Sequence, residues 1–388
     1  MKICALIAEY NPFHLGHLKH LDYIKNTLGA EKIIVVMSGN FTQRGEPAIL
    51  DKYTRAKHAI IAGADLVIEL PTVFATGNAE VFAKGAINVI NSLGVVDGLC
   101  FGVESGDKQS YQSLADLLNE EPKEYKRLLK SQLDMGVSLA KAKHQAVKDL
   151  GESFDSQLMN SPNNILGLEY TKALKKIASD INVFPMIREG DHNDKTLKKG
   201  ITSATSIREC VKTGKLKKVK GNLPPFVFSE LDKVADFDKI IMSSLLTASL
   251  SDMQEIMDCT EGIENRIKAL SKDNLTLESL IEKVCTKRYT KSRIRRILIA
   301  NLLKINKRLV ENCLDSKLYA KVLAVAKNSK DLISMISAKS QVPLLTRKSD
   351  TVNLKKIAKE CYEKDVLAND LYNLATQKVI NENYMLII

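Results

Sequence analysis

No stretch of this 388-residue chain approaches the ~18 uninterrupted apolar residues a membrane span needs, so no membrane partner is expected. The seven cysteines, Cys4, Cys100, Cys210, Cys259, Cys285, Cys313 and Cys361, are scattered and odd in number, and they form no CxxC pair. That argues against a disulfide framework and for reduced, structural thiols in a cytoplasmic protein. The amino end has no charged segment followed by an apolar one, as a secretory leader would. Internal repeats and low-complexity tracts are absent, no carboxylate cluster suggests a metal cage, and nothing implies a protein partner.

What is present is apolar and basic. A hydrophobic content of 45% over this length can bury a large core and suggests two or three domains. Lys and Arg total 57 against 46 Asp and Glu, a net charge of +11 that suits a polyanionic partner.

In the first hundred residues, short β-rich runs (ICALIAEY, KIIVVMS, DLVIELP, GLCFGVES) alternate with helical ones. Near-continuous apolar strands separated by helices predict a Rossmann-like, doubly wound parallel α/β sheet covered on both faces. Helical patterning follows from Lys108, and INVFPMI reads as a last strand. A charged loop, REGDHNDKTLKKG, and a short helix, SATSIRECVKTG, come next. GNLPP at 221–225 reads as a linker, after which strand signals nearly vanish, so the expected division is an α/β domain at 1–222 and a mostly α-helical one at 226–388. Residues 231–388 carry 27 basic and 20 acidic groups, +7 of the +11.

NPFHLGH, residues 11–17, lies where the first strand gives way to a helix, with Pro12 stopping the strand and Gly16 permitting a tight bend. The first amides of a helix point outward with the positive end of its dipole, so an anion is stabilised there. His14 and His17, three residues apart, suit a phosphate and a departing leaving group. In SATSIR, Ser203 and Thr205 can cap a helix while Arg208 offers a planar fork to phosphate; in isolation a plain cap is the preferred reading, and only beside HxGH does the segment read as a second phosphate clamp. QRGEPA contributes Gln43, Arg44 and Glu46 to a loop after the second strand, with Arg44 suited to a carboxylate or to RNA. From Lys283 to Arg308 there are ten Lys and Arg and no Asp or Glu. There Lys287, Arg288, Lys291, Arg293, Arg295 and Arg296 read as a phosphate-tracking surface whose arginines reach outward, with Tyr289 available to stack on a base and KLKKVK at 215–220 extending it. The alternative for this segment is a solvated helix face.

HxGH and SATSIR, in that order, resemble the HxGH nucleotidyltransferase superfamily, whose second motif has the form ISSTxIR; here Thr202 and Ala204 depart from it. EYNPFHLGHLKH, VMSGNFTQRGEPA, DLVIELP, FGVES, SPNNILGLEY and SATSIR together resemble the bacterial tRNA(Met) cytidine acetate ligase family over most of the chain. The resemblance implies that acetate is adenylated by ATP, with Mg²⁺ arriving on the nucleotide, and that the acetyl group passes to the wobble cytidine of elongator tRNA(Met). It also implies a nucleotide held along Ile7, Ala8, Glu9, Tyr10, Asn11, Pro12, Phe13, His14, Leu15, Gly16, His17, Leu18, Lys19 and His20, and by Gly102, Asn163 and Arg188. Two other functions would use the same phosphate motifs: a cofactor adenylyltransferase and a non-catalytic RNA-binding protein on this scaffold.

Overall fold

The computed structural model describes residues 1–151, 154–188, 200, 202–231, 234–274 and 276–388; most of the charged loop expected at 188–200 lies outside them. All five expected strands form: β1 (Ile3–Ala8), β2 (Lys32–Ser38), β3 (Leu66–Leu70), β4 (Gly98–Val103) and β5 (Asn182–Ile187). They pair in parallel in the order β5-β4-β1-β2-β3. Successive side chains face opposite layers: Ile34, Val36 and Ile68 pack into one cluster, and Ile33, Val35 and Val67 into the other. With both faces covered, no polar alternation remains, and each fully buried aliphatic side chain stabilises by about 1.5–3 kcal/mol.

β2 and β3 extend the sheet from one side of β1, and β4 and β5 from the other. That reversal opens a crevice outside the carboxyl ends of β1 and β4, where open α/β sheets bind ligands. α1 (Leu15–Asp22) starts beside it, and α2 (Lys52–Ile61) follows β2.

The carboxyl-terminal part departs from the expected loss of strands. AKVLAV forms β6 (Ala320–Val325), antiparallel to β3, and two short strands, β7 (Leu344–Leu345) and β8 (Leu386–Ile387), share its outer edge. An apolar run of six residues is ambiguous between strand and helix, and its partner lies some 250 residues earlier in the chain. Within GNLPP, Asn222, Leu223 and Pro224 are buried, so the segment is packed at its centre rather than standing as an open linker. The stretches on either side of the expected division therefore share one sheet and one apolar cluster, to which Ile294 and Leu298 also belong.

A buried charge cluster fastens β3 to β6. Lys52 Nζ lies 2.8 Å from Glu69 Oε1 and 2.6 Å from Glu382 Oε1, and Lys321 Nζ lies 2.9 Å from Glu69 Oε2 and also contacts Glu382. Burial alone would raise the Glu69 carboxyl, but Lys321 and Lys52 outweigh it and hold it below its usual value. Nearby, Asp365 accepts the Thr72 amide at 2.7 Å and the Tyr319 hydroxyl. Burial, and then the Glu69 charge, push Asp365 up to about 6.

A carboxyl raised on folding contributes stability below its unfolded value, and that contribution is lost as pH rises through its folded value. Asp365→Asn is therefore expected to gain on the parent between pH 4 and about 6, and to hold that gain above it. Urea midpoints across this range check the effect, and a pH-independent difference would contradict it.

Candidate active site

A cavity of about 680 Å³ occupies the crevice. The chain enters it from β1 through Tyr10, held at a left-handed φ of 47°, and a cis Asn11–Pro12 bond. These two make the reversal; Gly16, expected to be the hinge, is instead the second residue of α1. Its missing side chain leaves the helix start open to the cavity, which it lines.

His14 caps α1. Its Nδ1 accepts the Gly16 amide at 3.0 Å, and the His14 amide is accepted by His17 Nδ1 at 3.2 Å. The two rings stack with centroids 3.7 Å apart, and Tyr10 and Phe13 meet His17 at 4.8 and 5.5 Å. An imidazole that accepts at Nδ1 carries its proton on Nε2 when neutral, so in that state Nε2 is the donor of each ring; both residues line the cavity. His20, also on the wall, bonds Cys100 Sγ at 3.2 Å; burial and then the Arg188 charge pull it down to about 4, so it is neutral at pH 7.

The two expected phosphate motifs meet. Arg208, buried on the Ala204–Lys212 helix, donates from Nη1 to the Asn11 carbonyl at 2.9 Å and from Nη2 to Thr205 Oγ1 at 3.2 Å. Thr205 and Arg208 line the cavity. Ser203 takes the plainer of its two roles, its Oγ accepting the Ser206 amide at 3.1 Å as the helix cap. Ala204 lines the cavity, so the hydroxyl that ISSTxIR would have there is replaced by a methyl group.

FGVES and SPNN are bonded to each other: Asn163 Nδ2 donates to Glu104 Oε1 at 2.6 Å, and Asn164 Oδ1 accepts the Glu104 amide at 2.8 Å. Asn163 and Gly102 line the cavity; Asn164 is buried behind them. Gly102 leaves room for Arg188, since a Cβ there would lie 2.8 Å from Arg188 Cδ; Arg188 also lines the cavity.

Glu9, on the wall as expected, accepts the Gln43 amide at 2.8 Å. One support was not read from the sequence. Arg55 of α2 is fully buried and donates to the carbonyls of Glu9 (2.7 Å), Ser38 (3.0 Å), Leu50 (2.9 Å) and Gly39, tying the ends of β1 and β2 together. No local pattern marks such a residue, because its partners are carbonyls brought near only by the sheet.

The basic segment is a correction in part. Its helix forms (Lys291–Leu302), but its arginines do not reach freely outward. Arg288 pairs with Glu261 at 2.8 Å, Arg293 with Glu261 at 3.2 Å, Arg296 with Asp258, and Lys291 with Glu282 at 3.3 Å. Tyr289 donates to the Glu261 carbonyl at 2.8 Å. Lys287 and the lysines of 215–220 are exposed. The acid-free window misled because its counter-charges come from Asp258 to Glu282, folded against it. Lys291, Arg295 and Arg296 instead line the cavity.

Among the described residues the wall thus carries seven cations (Lys19, Arg44, Arg188, Arg208, Lys291, Arg295, Arg296) and two carboxylates (Glu9, Glu46), a balance suited to a polyphosphate. Among the described residues no group of three or more His, Cys, Asp or Glu could hold a metal ion, and no helix is long and apolar enough to cross a membrane.

The HIGH Nucleotidyl Transferase family matches residues 1–385. The tRNA(Met) cytidine acetate ligase of Caldanaerobacter subterraneus subsp. tengcongensis is 42% identical, with 97% of this chain and 96% of that protein aligned. That of Acetivibrio thermocellus is 39% identical over 96% and 94%. The chain belongs to the tRNA(Met) cytidine acetate ligase family. Crystal structures of Thermotoga maritima TmcAL superpose over both whole chains: the apo form with a TM-score of 0.94 at 30% identity, and the form bound with alpha-thio ATP with 0.90 at 29%. For this family of ligases the nucleotidyltransferase-type fold, a mostly parallel sheet with flanking helices, is the one described above.

Proposed function

We propose that this chain condenses acetate with ATP to acetyl-adenylate and pyrophosphate, then transfers the acetyl group to the exocyclic amine of the wobble cytidine of elongator tRNA(Met). The observation that carries this is the Arg208–Asn11 contact, which brings the imidazole pair and the second phosphate motif to one cation-rich cavity. The ATP analogue bound by the Thermotoga relative supports a nucleotide there.

In this reading Gly102, Asn163 and Arg188 hold the nucleoside and the α1 start receives the α-phosphate. An acetate oxygen attacks the α-phosphorus as the bond to the bridging oxygen breaks, and pyrophosphate leaves. His14 and His17 donate from Nε2 to the charge that builds, and Thr205 and Arg208 hold the leaving phosphates. The amine of cytidine then attacks the anhydride carbonyl, AMP departs, and one proton is lost from nitrogen.

Mg²⁺ fits as a guest of the phosphates rather than of a protein cage, because Glu46 is paired with Arg295 at 2.6 Å and Glu9 with the Gln43 amide. Exposed Lys287 and the 215–220 lysines, with Arg288 and Arg293 at the basic helix, are the proposed tRNA contacts. The cytoplasm is the compartment this reading requires.

The test is mass analysis of nuclease-digested elongator tRNA(Met) after incubation with ATP, Mg²⁺ and acetate, without acetyl-coenzyme A. A cytidine heavier by one acetyl group is expected. An unchanged tRNA, with folded protein, would overturn the proposal.

A further inference from the structure

Several cavity arginines belong to neither phosphate motif, Arg295 among them. Arg295 comes from the basic helix, yet its Nη1 lies 2.6 Å from Glu46 Oε1 in the loop after β2, and its Nη2 lies 3.0 Å from Glu278 Oε2. Glu46 Oε2 is 3.8 Å from Arg208 Nε, and Thr205 Oγ1 accepts from both Arg208 Nη2 and Arg44 Nη1 at 3.2 Å. Two guanidinium groups from separate stretches therefore converge on the Glu46 carboxylate at the cavity wall, and a third, that of Arg44, shares Thr205 with Arg208.

The meeting of loop and helix is built into the backbone. Gly45 has a φ of 71°, and a Cβ there would lie 2.4 Å from the Arg296 amide nitrogen, so only glycine lets the two chains touch. Burial holds the Arg208 guanidinium below its ordinary value, and the like charges of Arg44 and Arg295 add to that effect while Glu46 and Glu9 oppose it. An added anion would relieve that repulsion.

We propose that Arg295 is a nucleotide-site residue that binds the β- and γ-phosphates of ATP, leaving Glu46 as they arrive, so that adenylation depends on the basic helix before any RNA is bound. This rests on the adenylation reading above and reassigns a residue whose sequence context suggested RNA. A guanidinium fork matches phosphate as well as carboxylate, so Arg295 is paired both before and after nucleotide entry. Glu46 is then a placeholder that keeps Arg295 and Arg208 aligned, and a competitor the phosphates must displace.

The test compares ATP and AMP binding by calorimetry, with pyrophosphate exchange measured without tRNA. Arg295→Ala should weaken ATP roughly ten- to a hundredfold, the loss of a charge-assisted contact, while AMP binding is unchanged. Glu46→Gln should tighten ATP, a sign opposite to that of a merely structural defect. If Arg295→Ala binds ATP normally but acetylates tRNA poorly, the residue serves RNA and the inference falls. If ATP and AMP weaken together, Arg295 only holds the fold and the inference again falls. A parent chain that binds neither nucleotide would sink the adenylation reading, and this inference with it.

Discussion

Replacing His17 by alanine is expected to lower acetate-dependent exchange of pyrophosphate into ATP by roughly 10²–10³-fold, the usual cost of removing one preorganised donor from a site where charge develops. The ring is preorganised from three sides: its Nδ1 accepts the His14 amide, His14 stacks at 3.7 Å, and Tyr10 meets its face at 4.8 Å. These contacts set the ring's rotamer before the reaction step. Alanine also removes a helix-start contact worth about 1 kcal/mol, so loss of activity alone would be ambiguous. His17→Asn separates the roles, because its amide oxygen can still accept the His14 N–H while the Nε2 donor is gone. Both variants should be equally poor in exchange, with the asparagine variant unfolding close to the parent. Full exchange by His17→Asn would reduce the ring to a helix cap.

Lys321→Ala is expected to destabilise the fold by about 3–5 kcal/mol, because breaking a buried ion pair strands charge in a poorly solvating interior. Lys321 is buried in β6 and bridges Glu69 of β3 and Glu382 of the carboxyl-terminal segment. Without it, Lys52 alone would face two buried carboxylates. Glu69 and Glu382 hold the Lys321 ammonium well above its usual value despite burial, so it is charged at any pH at which the protein is handled. Urea unfolding at neutral pH measures the loss. Lys321→Met combined with Glu69→Leu should recover most of it, since the Lys52–Glu382 pair then remains and no charge is stranded. A single variant as stable as the parent would show that water or rearrangement already screens the cluster.

Both predictions act on residues of very different legibility. His14 and His17 stood out because strand-to-turn-to-helix punctuation is local, and Thr205 and Arg208 because their motif has a fixed spacing. Ser203 lay in the same motif yet turned out to cap its own helix, since both roles ask for a hydroxyl at a helix start. Lys321 was invisible: within AKVLAV it is one polar residue in an apolar run, and its counter-charges lie at Lys52-bound Glu69 and at Glu382. Arg295 was visible as a cation but its partners were not, because charge counted along a window omits Glu46 and Glu278.

By itself the sequence determined the five parallel strands, the helix that starts at the imidazole pair, and the capped helix start in SATSIR, because each is written in apolar periodicity or local punctuation within a dozen or so residues. Only the tertiary structure decided that β6 completes the sheet, that Arg55 clamps the strand ends, that most arginines of the basic segment face carboxylates, and that Arg295 looks into the cavity. Ion pairs and strand partners are chosen by proximity in space, and proximity between residues tens to hundreds of positions apart exists only once the chain has folded.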